Sequence, residues 1–132
     1  MVPESQQYLL KDETKAFAYV ATAMSNGQPQ LTCVWFNTDG EGHILFNTVD
    51  RAAKFRYLSK NPRVAILISD PQDPHKYVQI RGRVEMTKEG AVEHTHALSR
   101  KYTGKDFELR PGTLRVMYKV KPKRVTVWPP QR

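Results

Sequence analysis

The sequence predicts a mainly β fold: an antiparallel barrel, closed or nearly closed, with helices flanking its ends. Six or more short runs are rich in β-branched and aromatic residues, many are joined by hairpin-type turns, and only two or three segments carry helical spacing. Closure removes exposed strand edges, which suits so many short strands. No internal repeat, low-complexity tract or linker divides the 132 residues, so one domain spanning 1–132 is expected.

From the N-terminus, Tyr8, Leu9, Leu10 and Phe17 among charged residues predict an amphipathic helix ending near Phe17 and covering one end of the sheet. Ala18 to Ala23 is a strand, and Ser25-Asn26-Gly27 is a hairpin turn, because Asn and Gly tolerate positive φ. Gln30 to Asn37 (QLTCVWFN) is the next strand, and Asp39 to Gly42 turns it into His43 to Thr48 (HILFNT), giving a three-stranded meander. The single cysteine, Cys33, lies within an apolar strand with no histidine nearby, which favours a buried structural thiol over a nucleophile.

The segment FNTVDRAAKFRYLSKNPRVAIL, from Phe46 to Leu67, reads as strand, helix, strand. Asp50 is placed to cap a helix over Arg51 to Lys60, and Asn61-Pro62 ends it, since the residue before proline is pushed out of the α region. Arg51 and Lys54, three apart, would share a face of the first turn beside N–H groups without intrahelical partners. That arrangement suits a phosphate; the alternative is a solvated basic face.

Val64 to Ser69 is an apolar strand, Asp70 to Pro74 a polar loop, and Lys76 to Thr87 a long strand that alternates. Tyr77, Gln79, Arg81 and Arg83 share one face; Val78, Ile80, Gly82 and Val84 share the other. A glycine in mid-strand marks a bulge or a close approach of another backbone. Lys88 to Lys101 is a second helix with a stripe of Ala91, Val92, Thr95, Leu98 and Tyr102. His94 and His96 point in different directions on a helix, so they read as surface histidines and no metal site is expected. After a loop from Thr103 to Gly112, Leu114 to Val120 and Arg124 to Trp128 read as two strands separated by Lys121-Pro122-Lys123.

A hydrophobic fraction of 39% with 26% charged residues is that of a globular protein, and no apolar run reaches membrane-spanning length. With no secretory signal pattern and one cysteine, a cytoplasmic location is expected. The formal charge of +8 admits nucleic acid, a membrane surface or a phosphorylated small molecule. It is concentrated between Arg51 and Arg63 and from Arg110 to Lys123 without dense basic blocks, which favours a pocket or groove over a nucleic-acid-binding tail. The glycines near Gly40 and Gly42 lie between strands, so there is no Rossmann or Walker fingerprint.

Taken in order, QPQLTCVWF, ILFNT, RAAKFRYLSKNPRVAIL, YVQIRGRVEMT and RVMYKVKPKRV resemble the pyridoxamine 5′-phosphate oxidase-like split-barrel superfamily over nearly the whole chain. The RAAK…NPRV spacing, DPQDPHKYVQIRGRV and KYTG after a helix are most similar to its deazaflavin (F420)-dependent oxidoreductase branch. The resemblance implies a split β-barrel of the FMN-binding type with antiparallel Greek-key connections. It also implies a homodimer holding two flavin-type cofactors, coenzyme F420 or alternatively FMN, in grooves between subunits. By position, Lys54 matches the family's phosphate-binding lysine, with Arg51 beside it. Thr32, Val34, Trp35 and Phe36 would run along the ring system, chiefly through backbone groups. Asn47 and Thr48 would approach the ring or its side chain, and Tyr77 and Gln79 would reach in from the other subunit. Ala53 stands where the vitamin B6 oxidases place an arginine, and their C-terminal substrate-binding arginine motif is missing, so B6 oxidation itself is not expected.

The resulting expectation is an oxidoreductase acting on a small conjugated or quinone-like molecule. No catalytic dyad stands out, and none is required where a cofactor carries the hydride. The alternative class is a non-enzymatic carrier of flavin or haem, or a basic barrel that binds single-stranded nucleic acid through Trp35, Phe36, Tyr77 and Arg81. The nucleic-acid reading leaves the helix after Asp50 without a role, so neither nucleic acid nor membrane is the expected partner.

Overall fold

A computed structural model describes residues 1–130. Seven strands form one fully antiparallel sheet: β1 (Ala18–Ala23), β2 (Pro29–Val34), β3 (Asn37–Thr38), β4 (Ile44–Val49), β5 (Arg63–Asp70), β6 (Asp73–Thr87) and β7 (Arg115–Trp128). Two helices, α1 (Ala53–Lys60) and α2 (Ala91–Thr103), are inserted between strands. The order across the sheet is β2-β1-β5-β6-β7-β4-β3, so the chain neighbours β2 and β3 are its two edges. The sheet curls into the mainly β split barrel that the strand pattern predicts. Among the described residues no helix is long and apolar enough to cross a membrane.

The inward face is set by alternation. Val20 on β1, Ile66 and Ile68 on β5, Val78 and Ile80 on β6, and Val116 and Tyr118 on β7 are essentially sealed from solvent, and Leu9, Phe36 and Leu58 close the ends. Phe46 stacks on Tyr118 at 4.7 Å between ring centroids. On β6 the alternation is as expected: Val78, Ile80, Gly82 and Val84 are buried, while Tyr77 and Gln79 are half-buried and Arg81 and Arg83 exposed. Gly82 sits at a register shift in which Lys123 of β7 has no partner on β6.

Several boundaries differ from the expectation, each for a local reason. The N-terminal segment is a 3-10 helix over Glu4–Leu10 rather than an amphipathic helix running to Phe17. β2 stops at Val34, because Phe36 turns into the core and the chain must leave the edge to start β3. Consequently β2 does not pair with β4, and the meander is two separate hairpins. Cys33 is exposed, not buried: it pairs with Tyr19 on the outward side of the edge strand. Asp50 does not cap α1, whose N-cap is Ala52 without a side-chain bond; the Asp50 N–H instead donates to the Leu114 carbonyl. Asn61, in extended conformation, does end α1 before Pro62. The expected loop from Asp70 to Pro74 is a tight turn, with β6 beginning at Asp73. The last two strands are one, and Pro122 is accommodated because β4 pairs with β7 only as far as Val120, leaving that edge free of a ladder partner.

Candidate functional site

Between β2, β4, α1, α2 and the start of β7 lies a cleft of about 350 Å³. Val34, Trp35, Asn47, Thr48 and Lys54 line it, so five of the residues singled out from the sequence meet there. Thr32 belongs to the same site through Lys54, whose Nζ donates to Thr32 Oγ1 at 2.7 Å. Phe36 does not face the cleft. Its ring is in the core, and its carbonyl accepts from Lys101 Nζ at 2.8 Å. Arg51 is exposed in the turn ahead of α1 and lies outside the lining, because α1 begins two residues later than expected. Tyr77 and Gln79 stand on the outward face of β6 and are not in this cleft.

Lys54 is the unusual group. Its side chain is buried, burial pulls its pKa down, and among the described residues no carboxylate forms a salt bridge with it. A buried ammonium without a counter-ion is costly in the absence of an anionic ligand. One wall is aromatic, with Trp35 stacked on Tyr102 at 5.2 Å and Phe17 stacked on the same ring at 5.3 Å. Tyr102 is fixed there by donating to the Ala16 carbonyl and accepting from the Phe36 N–H at 3.3 Å, and burial pushes its pKa up to about 12. Anion anchor plus aromatic wall fits a planar cofactor carrying a phosphate.

The opposite wall holds a polar network that sequence reasoning missed. Asn47 Nδ2 donates to the Ala91 carbonyl at 3.0 Å and to His94 Nδ1 at 3.1 Å, and His94 Nε2–H donates to Asn37 Oδ1 at 2.8 Å. With one ring nitrogen accepting and the other donating, His94 is the neutral imidazole. Burial, aided by the nearby Arg115 charge, drives its pKa down to about 4. His94 is therefore an interior residue that ties α2 to β4 and β3, not a surface histidine; it falls on the same helical stripe as Ala91, Thr95 and Leu98. Arg115 Nε donates to Asn47 Oδ1 at 2.9 Å and to Thr95 Oγ1 at 3.1 Å. Elsewhere, Asp39, Glu41 and His43 gather three potential metal donors within 4.8 Å, but the Asp39 carboxylate is engaged by the Glu41 and His43 N–H groups and the His43 ring. That cluster is accounted for as a turn clasp.

Comparison with known proteins agrees with this architecture. In sequence, the chain is 25% identical over 134 residues to the 5a,11a-dehydrotetracycline/5a,11a-dehydrooxytetracycline reductase of Streptomyces rimosus, covering 96% of this chain and 84% of that protein. In structure, it superposes on an F420 reductase with a TM-score of 0.82 and 30% identity, over 95% of this chain and 98% of the other. A conserved hypothetical protein from Mycobacterium tuberculosis shares the fold, with a TM-score of 0.76 at 21% identity over 97% and 85% of the two chains. The pyridoxamine 5′-phosphate oxidase family model matches residues 3–129. The chain therefore belongs to the pyridoxamine 5′-phosphate oxidase family.

Proposed function

We propose that the protein is an oxidoreductase that uses coenzyme F420 to exchange hydride with a small conjugated or quinone-like molecule. The observation that carries the reading is Lys54: a buried ammonium with no carboxylate partner among the described residues, at one side of a cleft with an aromatic wall. The structural likeness to an F420 reductase and the sequence likeness to a tetracycline-type reductase support it. A flavin-type ring bound there supplies the hydride chemistry. The chain's part is to hold the phosphate on Lys54 and Thr32, set the ring along Val34 and Trp35, and exclude water.

The choice of F420 over FMN rests on charge. Arg51, Arg56, Lys60 and Arg63 are exposed around α1, and none forms a salt bridge among the described residues. FMN ends at one phosphate, whereas F420 continues into a polyanionic oligoglutamate tail that such cations would attract at long range. Titration of both cofactors at low and high ionic strength is expected to show tighter F420 binding with the steeper salt dependence. Tighter FMN binding with equal salt slopes would move the protein to FMN, and saturable binding of neither would end the redox reading.

The functional unit in this reading is a homodimer. The outward sheet face carries Leu31, Tyr19 and Trp128, all at least 40% exposed, with Cys33, Leu67, Tyr77 and Gln79 between them in register. A second copy covering that face brings Tyr77 and Gln79 to the partner's groove and links cofactor affinity to association. Sedimentation at micromolar concentration is expected to show a dimer; a monomer that binds cofactor tightly would contradict it.

A further inference from the structure

We infer that Arg115 is a specificity-determining residue: it anchors an ionised oxygen, carboxylate or enolate in type, of a planar organic substrate, on a different wall of the cleft from Lys54. The inference rests on the proposed redox function in calling that molecule the substrate and in giving the cofactor phosphate to Lys54.

Arg115 opens β7 opposite Val49 and lines the cleft together with Phe107, Thr95 and Leu98. Its Nε carries both of its hydrogen bonds among the described residues, to Asn47 Oδ1 and Thr95 Oγ1. Those acceptors are themselves fixed. The Thr95 hydroxyl donates to the Ala91 carbonyl at 2.8 Å, and Asn47 uses its amide hydrogens on Ala91 and His94. The guanidinium also lies over the Phe107 ring, 5.3 Å from its centroid. The plane of the group is thereby pinned from one edge. Its two terminal amino groups have neither a protein acceptor nor a carboxylate salt bridge among the described residues.

A guanidinium always keeps its charge, and a fixed planar fork matches a carboxylate or enolate through two parallel N–H···O bonds. In the proposed reading Lys54, on the β2 side, takes the cofactor phosphate, which leaves Arg115 for a second anionic group. Phe17 and Phe107 supply apolar ring surface for the body of such a molecule, beside the stretch given to the cofactor ring.

The test uses 2-naphthoate as probe, with the neutral amide of the same shape as control, followed by tryptophan fluorescence. The parent is expected to bind the acid about tenfold or more tightly than the amide. Arg115→Met should remove that preference while keeping amide affinity, Arg115→Lys should keep only part of it, and Lys54→Met should leave it in place. F420 and FMN affinities of the two Arg115 variants are expected to fall far less than those of Lys54→Met. The inference is overturned if the parent does not discriminate, if Lys54→Met rather than Arg115→Met abolishes the preference, or if both Arg115 variants lose cofactor as Lys54→Met does. Should Arg115→Met fail to fold, Arg115→Lys decides by the same comparison. A parent that binds neither cofactor yet prefers the acid would end the redox reading and leave this anion subsite standing.

Discussion

Replacing Lys54 with methionine is expected to weaken cofactor binding ten- to a hundredfold while leaving the melting temperature unchanged or slightly raised. The binding loss follows from removing a charge-assisted contact to phosphate, worth about 1.5–3 kcal/mol. The tolerance of the fold follows from burial: among the described residues the ammonium has one neutral partner, Thr32, and no counter-ion, and burial already disfavours its charged form. Methionine fills similar space without that desolvation cost. The pH profile adds a second signature. A lysine with a lowered pKa loses its proton at a less alkaline pH than an ordinary one, so parental cofactor affinity should decline early as pH rises. The residual affinity of the variant should lack that decline. Isothermal titration with F420 and FMN across pH, beside thermal melts, checks both halves; unchanged affinity in a normally melting variant would remove Lys54 from the phosphate site.

The position of Lys54 in the first turn of α1 is legible in the sequence because its neighbours are local signals. The helix is ended by Asn61-Pro62 and preceded by an apolar strand, so a lysine in its first turn has a predictable place. The inward and outward faces of β6 were equally legible, since strand alternation needs no knowledge of the partner strand. Arg51 falls outside the cleft lining because the helix start depends on a turn that Val49 closes with Ala52, which the sequence around Asp50 does not announce. His94, Arg115 and Tyr102 act only once α2 is laid across β4 and the β2–β3 break, and nothing in their own segments announces that docking. One clue was available: Asn47 sits in the apolar run HILFNT, and a polar side chain buried in such a strand requires hydrogen-bond partners from elsewhere in the fold. Cys33 shows the converse error. An apolar strand at a sheet edge has one covered face only, and the cysteine is on the other.

Gly82→Ala is expected to destabilise the fold more than any conservative surface change, by about 3 kcal/mol, and to broaden or abolish cooperative melting. Gly82 is buried in the middle of β6, where β7 crosses it out of register. A Cβ built there would lie 2.1 Å from the Lys121 carbonyl oxygen and 3.2 Å from the Pro122 Cα. Both obstacles are backbone, so no side-chain rotation can relieve the overlap. β6 and β7 would have to separate at the bulge, in the longest pairing of the sheet, which runs from Tyr77–Trp128 to Thr87–Met117. The requirement is for space rather than for an unusual backbone angle, because Gly82 is absent from the glycines with positive φ. That distinction is testable within the same chain. Gly27 has a positive φ but nothing within 4 Å of an added Cβ, so Gly27→Ala should cost only the modest strain of the left-handed conformation, about 1–2 kcal/mol. Urea denaturation of the two variants beside the parent ranks them. If Gly82→Ala proves as stable as Gly27→Ala, the close approach of the β7 backbone is not the reason glycine occupies this position.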